Sequence, residues 1–258
     1  MGQRAARMRP ILIEACVDSV PSAMAAEAGG AGRVELCDNL IEGGTTPSAG
    51  AIAECRARLR IPIFVMIRPR GGDFLYSDVE YEIMRRDISQ ARSLGADGMV
   101  LGLLRRDGTV DVERTRPLVD AARPLPVTFH RAIDVARDAE EALDALIGMG
   151  IDRVLTSGQA PTAPQGAALI ARLARRAAGR IVVLPGCGID ETNVQRLVAD
   201  TGAYEVHVRG TAMVRSGMAH RNPRVLFRSP VPDDDLALEV TDADRIRRMA
   251  SLLAEPEG

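Results

Sequence analysis

The stretch Pro126–Asp134, PVTFHRAID, decides how this chain is read. Val127, Thr128 and Phe129 are the β-branched and aromatic residues of a buried strand. His130, Arg131 and Asp134 then fall where such a strand runs out into a loop. Ionisable groups at a strand end are costly to bury unless that end faces a site. Three other segments share this design: ILIEACVD (Ile11–Asp18), RVELCDN (Arg33–Asn39) and PIFVMIRPR (Pro62–Arg70). The chain gathers polar strand ends at one mouth.

Outward from this stretch, strand-like and helix-like segments alternate with short connections. Strands are expected at Ile11–Asp18, Arg33–Asn39, Ile61–Pro69, Gly98–Leu104, the stretch after Pro126, Arg153–Ser157, Arg180–Pro185 and Tyr204–Arg209. Helices are expected at Pro21–Ala28, Ser48–Leu59, Val79–Leu94, Val112–Ala122, Ala139–Met149, Gly166–Ala178 and Glu191–Ala199. Strand followed by helix, eight times over, predicts an α/β fold: one (β/α)₈ or TIM barrel domain over residues 10–258. An open doubly wound sheet is the alternative, but eight units is the closing number. Residues 1–9 read as an N-terminal extension. Residues 211–240, with three prolines and the acidic run Asp233–Asp235, read as an irregular insert over the mouth, at an interface or disordered. A final helix at 241–254 carries a possible Thr241 cap and an apolar stripe of Ile246, Met249, Leu252 and Leu253.

Composition narrows the chemistry. The net charge of −2, the 3% aromatic content and the absence of tryptophan argue against nucleic acid or an anionic membrane as partner. All 33 basic residues are arginine. Without lysine there is no Schiff-base nucleophile, no pyridoxal phosphate anchor and no lysine-dependent nucleotide phosphate loop. The apolar run from Ile11 meets Glu14 after three residues, too short for a signal core or membrane span. Four cysteines without a CxxC pair suggest a cytoplasmic protein with reduced thiols.

Side chains two apart on a strand share a face. Glu14, Cys16 and Asp18 therefore point together, as do Glu35, Cys37 and Asn39; Arg68 and Arg70; Thr128 and His130; and Glu205, His207 and Arg209. The opposite faces (Ile13, Ala15, Val17; Val34, Leu36; Val65, Ile67; Val206, Val208) are apolar or small and should pack on the helices. The barrel interior then holds Glu14, Glu35, Glu205, Arg68, His130 and His207. Either these groups neutralise one another, with Arg68 bridging Glu14 and Glu35, or Glu14, Glu35, Arg68, His130 and His207 form a catalytic site at the mouth.

Cys16 and Cys37 fall at corresponding positions of adjacent strands. They read either as small core residues or as two thiolates for Cu(I), which accepts low coordination better than Zn(II) does. Cys187 could add a third sulfur, while Cys55, on an exposed-looking helix, reads as incidental. In LPGCGIDETN (Leu184–Asn193), Gly186 and Gly188 suggest an anion-binding turn or simply a tight turn whose Glu191 would repel an anion. Arg70, Asp73 and Arg131 could clamp a carboxylate or phosphate, with Asp134 and Ser157 beside them, or Arg70 and Asp73 could pair with each other.

The strings EACVDS, ELCDNLIEGGTTPS, MIRPRGGDFLYS, GMVLGLL, VTFHRAID, RVLTSG and LPGCGI, in this order, resemble the CutC family, named for copper homeostasis. The resemblance runs from about Ile11 to His207. It implies a TIM barrel, a cytoplasmic location, a homo-oligomer (dimer or tetramer) and Cu(I) binding at Cys16 and Cys37. Val208 and Arg209 depart from the small residue that usually follows the strand-eight histidine, and Thr211–Val240 is longer than in the family pattern. Two functions follow as expectations. One is Cu(I) handling. The other is an enzyme doing acid–base chemistry on a small anionic or sugar-like molecule at the mouth.

Overall fold

The structure, a computed structural model, describes residues 10–220, 222, 224–225 and 236–254. Eight parallel strands, β1 (Leu12–Val17), β2 (Arg33–Leu36), β3 (Ile63–Met66), β4 (Gly98–Leu101), β5 (Val127–Phe129), β6 (Arg153–Thr156), β7 (Val182–Pro185) and β8 (Glu205–Val208), pair in sequence order, with β8 against β1. A parallel bridge from Gly186 to His207 closes the seam between β7 and β8. This is the TIM barrel that the alternation predicts.

The helices α1 (Val20–Ala28), α2 (Ala49–Arg58), α3 (Asp78–Ser93), α4 (Val112–Ala122), α5 (Ala139–Gly148), α6 (Ala163–Ala177), α7 (Val194–Thr201) and α8 (Ala243–Ala254) surround it. Of α1 to α7, five start on a side-chain cap, Ser19, Ser48, Ser77, Asp111 and Asp138, whose oxygen accepts an otherwise unpaired backbone N–H. Helix α7 starts later than expected. Asp190 first accepts from Thr192 N–H and O–H, and Asn193 Oδ1 accepts from Asp190 N–H, which holds a turn there. No helix among the described residues is long and apolar enough to cross a membrane.

Two apolar regions form, as the alternation requires. The larger lies between strands and helices and takes Ile13, Ala15, Val17, Val34, Leu36, Val65, Ile67, Val206 and Val208. The smaller lies inside the barrel: Cys16, Cys37, Phe64, Met66 and Val100. Cys55 is a correction: it is buried within the larger region, because its helix turns that face inward. Burial also pushes its thiol up to about 11.

Helix α6 approaches the turn after β6 very closely. A Cβ on Gly166 would sit 1.9 Å from the Ser157 carbonyl oxygen and 2.8 Å from Gly158 Cα. Both are backbone atoms and cannot swing aside. Gly166→Ala is therefore expected to lower stability by about 1–3 kcal/mol; an unchanged urea midpoint would contradict the packing described.

The segment 211–240 corrects the expectation of an irregular insert at both of its ends. Strands β9 (Thr211–Val214) and β10 (Leu238–Thr241) pair antiparallel, Thr211 opposite Thr241. Their β-branched residues suit a ladder, and Glu239 ties the base by accepting from Thr211 (2.5 Å) and Arg209 (2.9 Å). Thr241 thus ends a strand, and Asp242 caps α8 by accepting from Asp244 and Arg245 N–H. The acidic run Asp233–Asp235 and the extension 1–9 lie outside the described residues.

Candidate functional site

The inner face of the barrel is layered by strand register. Glu14 stands opposite both Arg33 and His207, Cys16 opposite Glu35, and Glu35 opposite Phe64. The lowest polar layer holds an arginine that the sequence reading passed over. Arg33, 3% exposed, donates from Nε to Glu14 and from Nη2 to Glu205 at 2.5 Å. Arg153, equally unforeseen, donates to Glu205 at 3.0 Å. Both guanidinium groups stack on Phe64, at 4.8 and 5.2 Å from its centroid. The signal was present: Arg33, Glu35 and Cys37 alternate, so Arg33 shares their inward face.

Arg68 therefore does not bridge Glu14 and Glu35. It lies four residues beyond Phe64, the partner of Glu35, which at about 3.3 Å per residue places its Cα about 13 Å along the strand direction. At that height it donates to the carbonyls of Glu42 (2.8 Å), Gly44 (2.7 Å) and Gly72 (2.9 Å), and so ties two loops together. Its Nε is buried without a partner.

The middle layer carries the soft ligands. Cys16 Sγ lies 3.4 Å and Cys37 Sγ 3.5 Å from the same atom, Glu35 Oε2. His207 Nε2 lies 3.7 Å from that oxygen, while its Nδ1 is 2.8 Å from Glu14 Oε1. The two cysteines are not level, as the sequence reading had them. Cys37 stands two residues above Glu35, the register partner of Cys16. Their sulfurs converge because both reach the Glu35 carboxyl between them. Two sets of ligand atoms, Cys16–Glu35–Cys37 and Glu14–Glu35–His207, each lie within 4.8 Å of one another.

Charge in this layer is shared unevenly. Burial pushes Glu14 up, but Arg33 and His207 outweigh it and hold the carboxyl at about 2. Burial alone would deprotonate His207, yet Glu35, Cys16 and Glu14 around it keep it a cation well above the usual range. The hydrogen bond with Cys37, opposed by burial and aided by His207, lowers the Cys16 thiol far below its ordinary value. Burial raises Glu35 above the usual carboxylate range, and the hydrogen bond with Cys16 raises Cys37, so Cys37 keeps its proton. Of the two thiols Cys16 is therefore the more acidic, and His207 is made more basic by its neighbours.

Above this layer opens a cavity of about 650 Å³, lined by Cys16, Glu35, Arg68, His130, Arg131 and His207 among others. His130 Nδ1 accepts from Ala132 N–H at 3.2 Å, and its ring lies 4.8 Å from Phe74. Burial, with Arg68 nearby, pulls its pKa down to about 3. It is therefore a neutral hydrogen-bond donor near pH 7.

Of the expected binding residues, Arg131, Asp134 and Gly188 line the cavity, while Arg70, Asp73, Ser157 and Gly186 do not. Arg70 donates to Asp73 (2.9 Å) and Glu80 (2.5 Å) and holds its own loop. Asp134 accepts from Arg131, Ser157 N–H and Thr156 O–H, so this group positions the β6 loop. Gly186 packs closely beneath the Leu155 side chain, whose Cδ1 lies 2.5 Å from a notional Cβ on the glycine. Glu191 accepts from Arg245 (2.7 Å) and Arg248 (3.2 Å), which places a carboxylate beside the turn proposed for anions. Cys187 donates to the Pro161 carbonyl at the rim and joins neither ligand cluster.

Comparison with known proteins gives the family and the fold. The CutC family model matches residues 11–212. The chain is 49% identical to the mouse "Copper homeostasis protein cutC homolog" over 241 residues, covering 93% of this chain and 89% of the mouse protein. It is 50% identical to a CutC family protein of Chromobacterium violaceum over 243 residues, covering 94% of this chain and 98% of that protein. The crystal structure of a CutC protein from Streptococcus agalactiae superimposes with a TM-score of 0.74 at 37% identity, covering 77% of this chain and 98% of that one. Thiamine phosphate pyrophosphorylase of Pyrococcus furiosus, at 15% identity and a TM-score of 0.57, shares the barrel fold alone, over 95% of this chain and 96% of its own. With the family model spanning all eight barrel strands and relatives near half identity over nearly the full chain, the protein belongs to the CutC family.

Proposed function

We propose that this protein binds Cu(I) as cargo between Cys16 and Cys37 and takes part in copper handling in the cytoplasm. The observation that carries the reading is the convergence of both sulfurs on one carboxyl oxygen, with ligand atoms no more than 4.8 Å apart. Two thiolates about 2.3 Å from one ion span at most about 4.6 Å, so small side-chain rotations suffice. Thiolates select Cu(I), and Glu35 or His207 stands close enough to supply a third donor. The mouse and human relatives are named for copper homeostasis. All four cysteines are free thiols, as a reducing compartment would keep them. The exposed Met213, Val214 and Leu238 on the β9–β10 hairpin support self-association of the chain.

Metal ligation requires thiolates, so uptake must release at least the Cys37 proton. Anaerobic competition against a chromophoric Cu(I) chelator is expected to give one ion per chain. Its affinity should rise about tenfold per pH unit between pH 6 and 8. No uptake, or an affinity indifferent to pH, would overturn the proposal.

A further inference from the structure

The cavity above the sulfurs is far larger than an ion requires. Its volume of about 650 Å³ falls within the roughly 300–1,000 Å³ typical of pockets for small organic ligands. Two residues that line it, His130 and Arg68, each carry a buried N–H that has no hydrogen-bond partner among the described residues. Because His130 Nδ1 accepts the Ala132 N–H, the neutral ring must carry its proton on Nε2. That Nε2 is buried and without a partner, as is Arg68 Nε, in side chains of residues only 3% and 4% exposed. Both groups lie against Phe74, with the His130 ring at 4.8 Å and the Arg68 guanidinium at 5.1 Å. A buried donor left without an acceptor is destabilising, more so when charged, so a pair beside one cavity calls for an acceptor.

Charge narrows the acceptor. Of the arginines lining the cavity, Arg131 pairs with Asp134, Arg209 with Glu239 and Arg245 with Glu191. Arg68 alone among them has no carboxylate partner among the described residues; three carbonyls accept from it, and it stands beside the Tyr76 hydroxyl. One uncompensated positive charge beside two N–H donors suits a single carboxylate better than a phosphate dianion. Leu40, Phe74, Leu155 and Ile189 supply apolar wall for a short carbon chain.

We propose that the mouth cavity binds a small organic monocarboxylate, its two oxygens accepting from His130 Nε2–H and Arg68 Nε–H. This goes beyond the copper reading and is separable from it, since neither His130 nor Arg68 belongs to the sulfur cluster.

The test is calorimetric titration of the full chain with butyrate and lactate, with inorganic phosphate for comparison. At least one carboxylate should bind saturably with a Kd of about 1 mM or below, and more tightly than phosphate. His130→Asn keeps an acceptor for the Ala132 N–H but removes the Nε2 donor. It should weaken binding at least about tenfold, as expected for a hydrogen bond to a charged group. His130→Gln restores a donor near Nε2 and should stay within about threefold of the parent. Cu(I) uptake should be unchanged in both, which separates failure of this proposal from failure of the copper reading. A readout independent of any variant is the ¹⁵N spectrum of the three histidine rings: His130 Nε2 should shift as carboxylate is added. Absence of saturable carboxylate binding, tighter binding of phosphate, equal affinity in His130→Asn, or an unmoved His130 signal would each overturn the proposal.

Discussion

Cys16→Ser/Cys37→Ser is expected to abolish Cu(I) uptake, weakening affinity by at least about a thousandfold. Structural zinc sites derive about 10–16 kcal/mol from four ligands, so two lost thiolates correspond to about 5 kcal/mol or more. The fold should survive. Each serine hydroxyl replaces a thiol near Glu35 Oε2 and can hydrogen-bond there, so no buried polar group is stranded. Circular dichroism of the double variant should match the parent while the chelator competition shows no bound ion. Parental affinity in a folded double variant would remove Cys16 and Cys37 from the role. Cys55→Ser is the control: that thiol sits behind the sheet, outside both ligand clusters, and its loss should leave Cu(I) uptake unchanged.

Arg33→Met should be the most damaging single change inside the barrel, at about 3–5 kcal/mol, because it strips a buried ion network of its central cation. Among the described residues Arg33 is the one that forms ion pairs with both Glu14 and Glu205. Arg153 would still face Glu205 and His207 would still face Glu14, but Glu14 is fully buried and is held at about 2 against the upward push of burial chiefly by Arg33. The pH dependence follows from the direction of that shift. A carboxylate with a depressed folded-state pKa contributes stability above its unfolded value, and that contribution fades as pH falls toward about 2. Without Arg33 the Glu14 pKa rises, so the deficit should be full at pH 7 and shrink as the pH drops below that raised value. Urea unfolding at pH 7 and at pH 4 measures this. A deficit below about 1 kcal/mol at pH 7, or one that grows in acid, would contradict the network described.

Much of the barrel was legible because its signals are local. Alternation within EACV, RVELC and EVHV separates an inward polar face from an outward apolar one without reference to any other strand. Helices were legible from their apolar stripes, but their exact starts were not: Thr241, expected as a cap, ends a strand, and Asp242 opens the helix instead. The convergence of Cys16, Glu35 and His207 was expected from the strand alternation, and the register delivers it. Pairing by height was not legible. Arg68 looked like the counter-ion of Glu14 and Glu35 because it was the strand-end arginine of the third segment. The register instead puts Arg33 level with Glu14 and carries Arg68 up into the loops. The β9–β10 hairpin escaped notice for a related reason. Its two halves are short, and their pairing spans residues 214 to 238, a separation at which no periodicity can report.

The sequence by itself determined the class of fold, the inward face of each strand and the family, since these depend on side-chain alternation and motif order along the chain. Only the tertiary structure decided which acid meets which base, that Cys16 is the more acidic thiol while Cys37 keeps its proton, and that His130 stands neutral with an idle donor over a cavity. Those outcomes depend on the stagger with which eight strands close a barrel and on how deeply each group is removed from water. Both are properties of the assembled cylinder and of no segment within it.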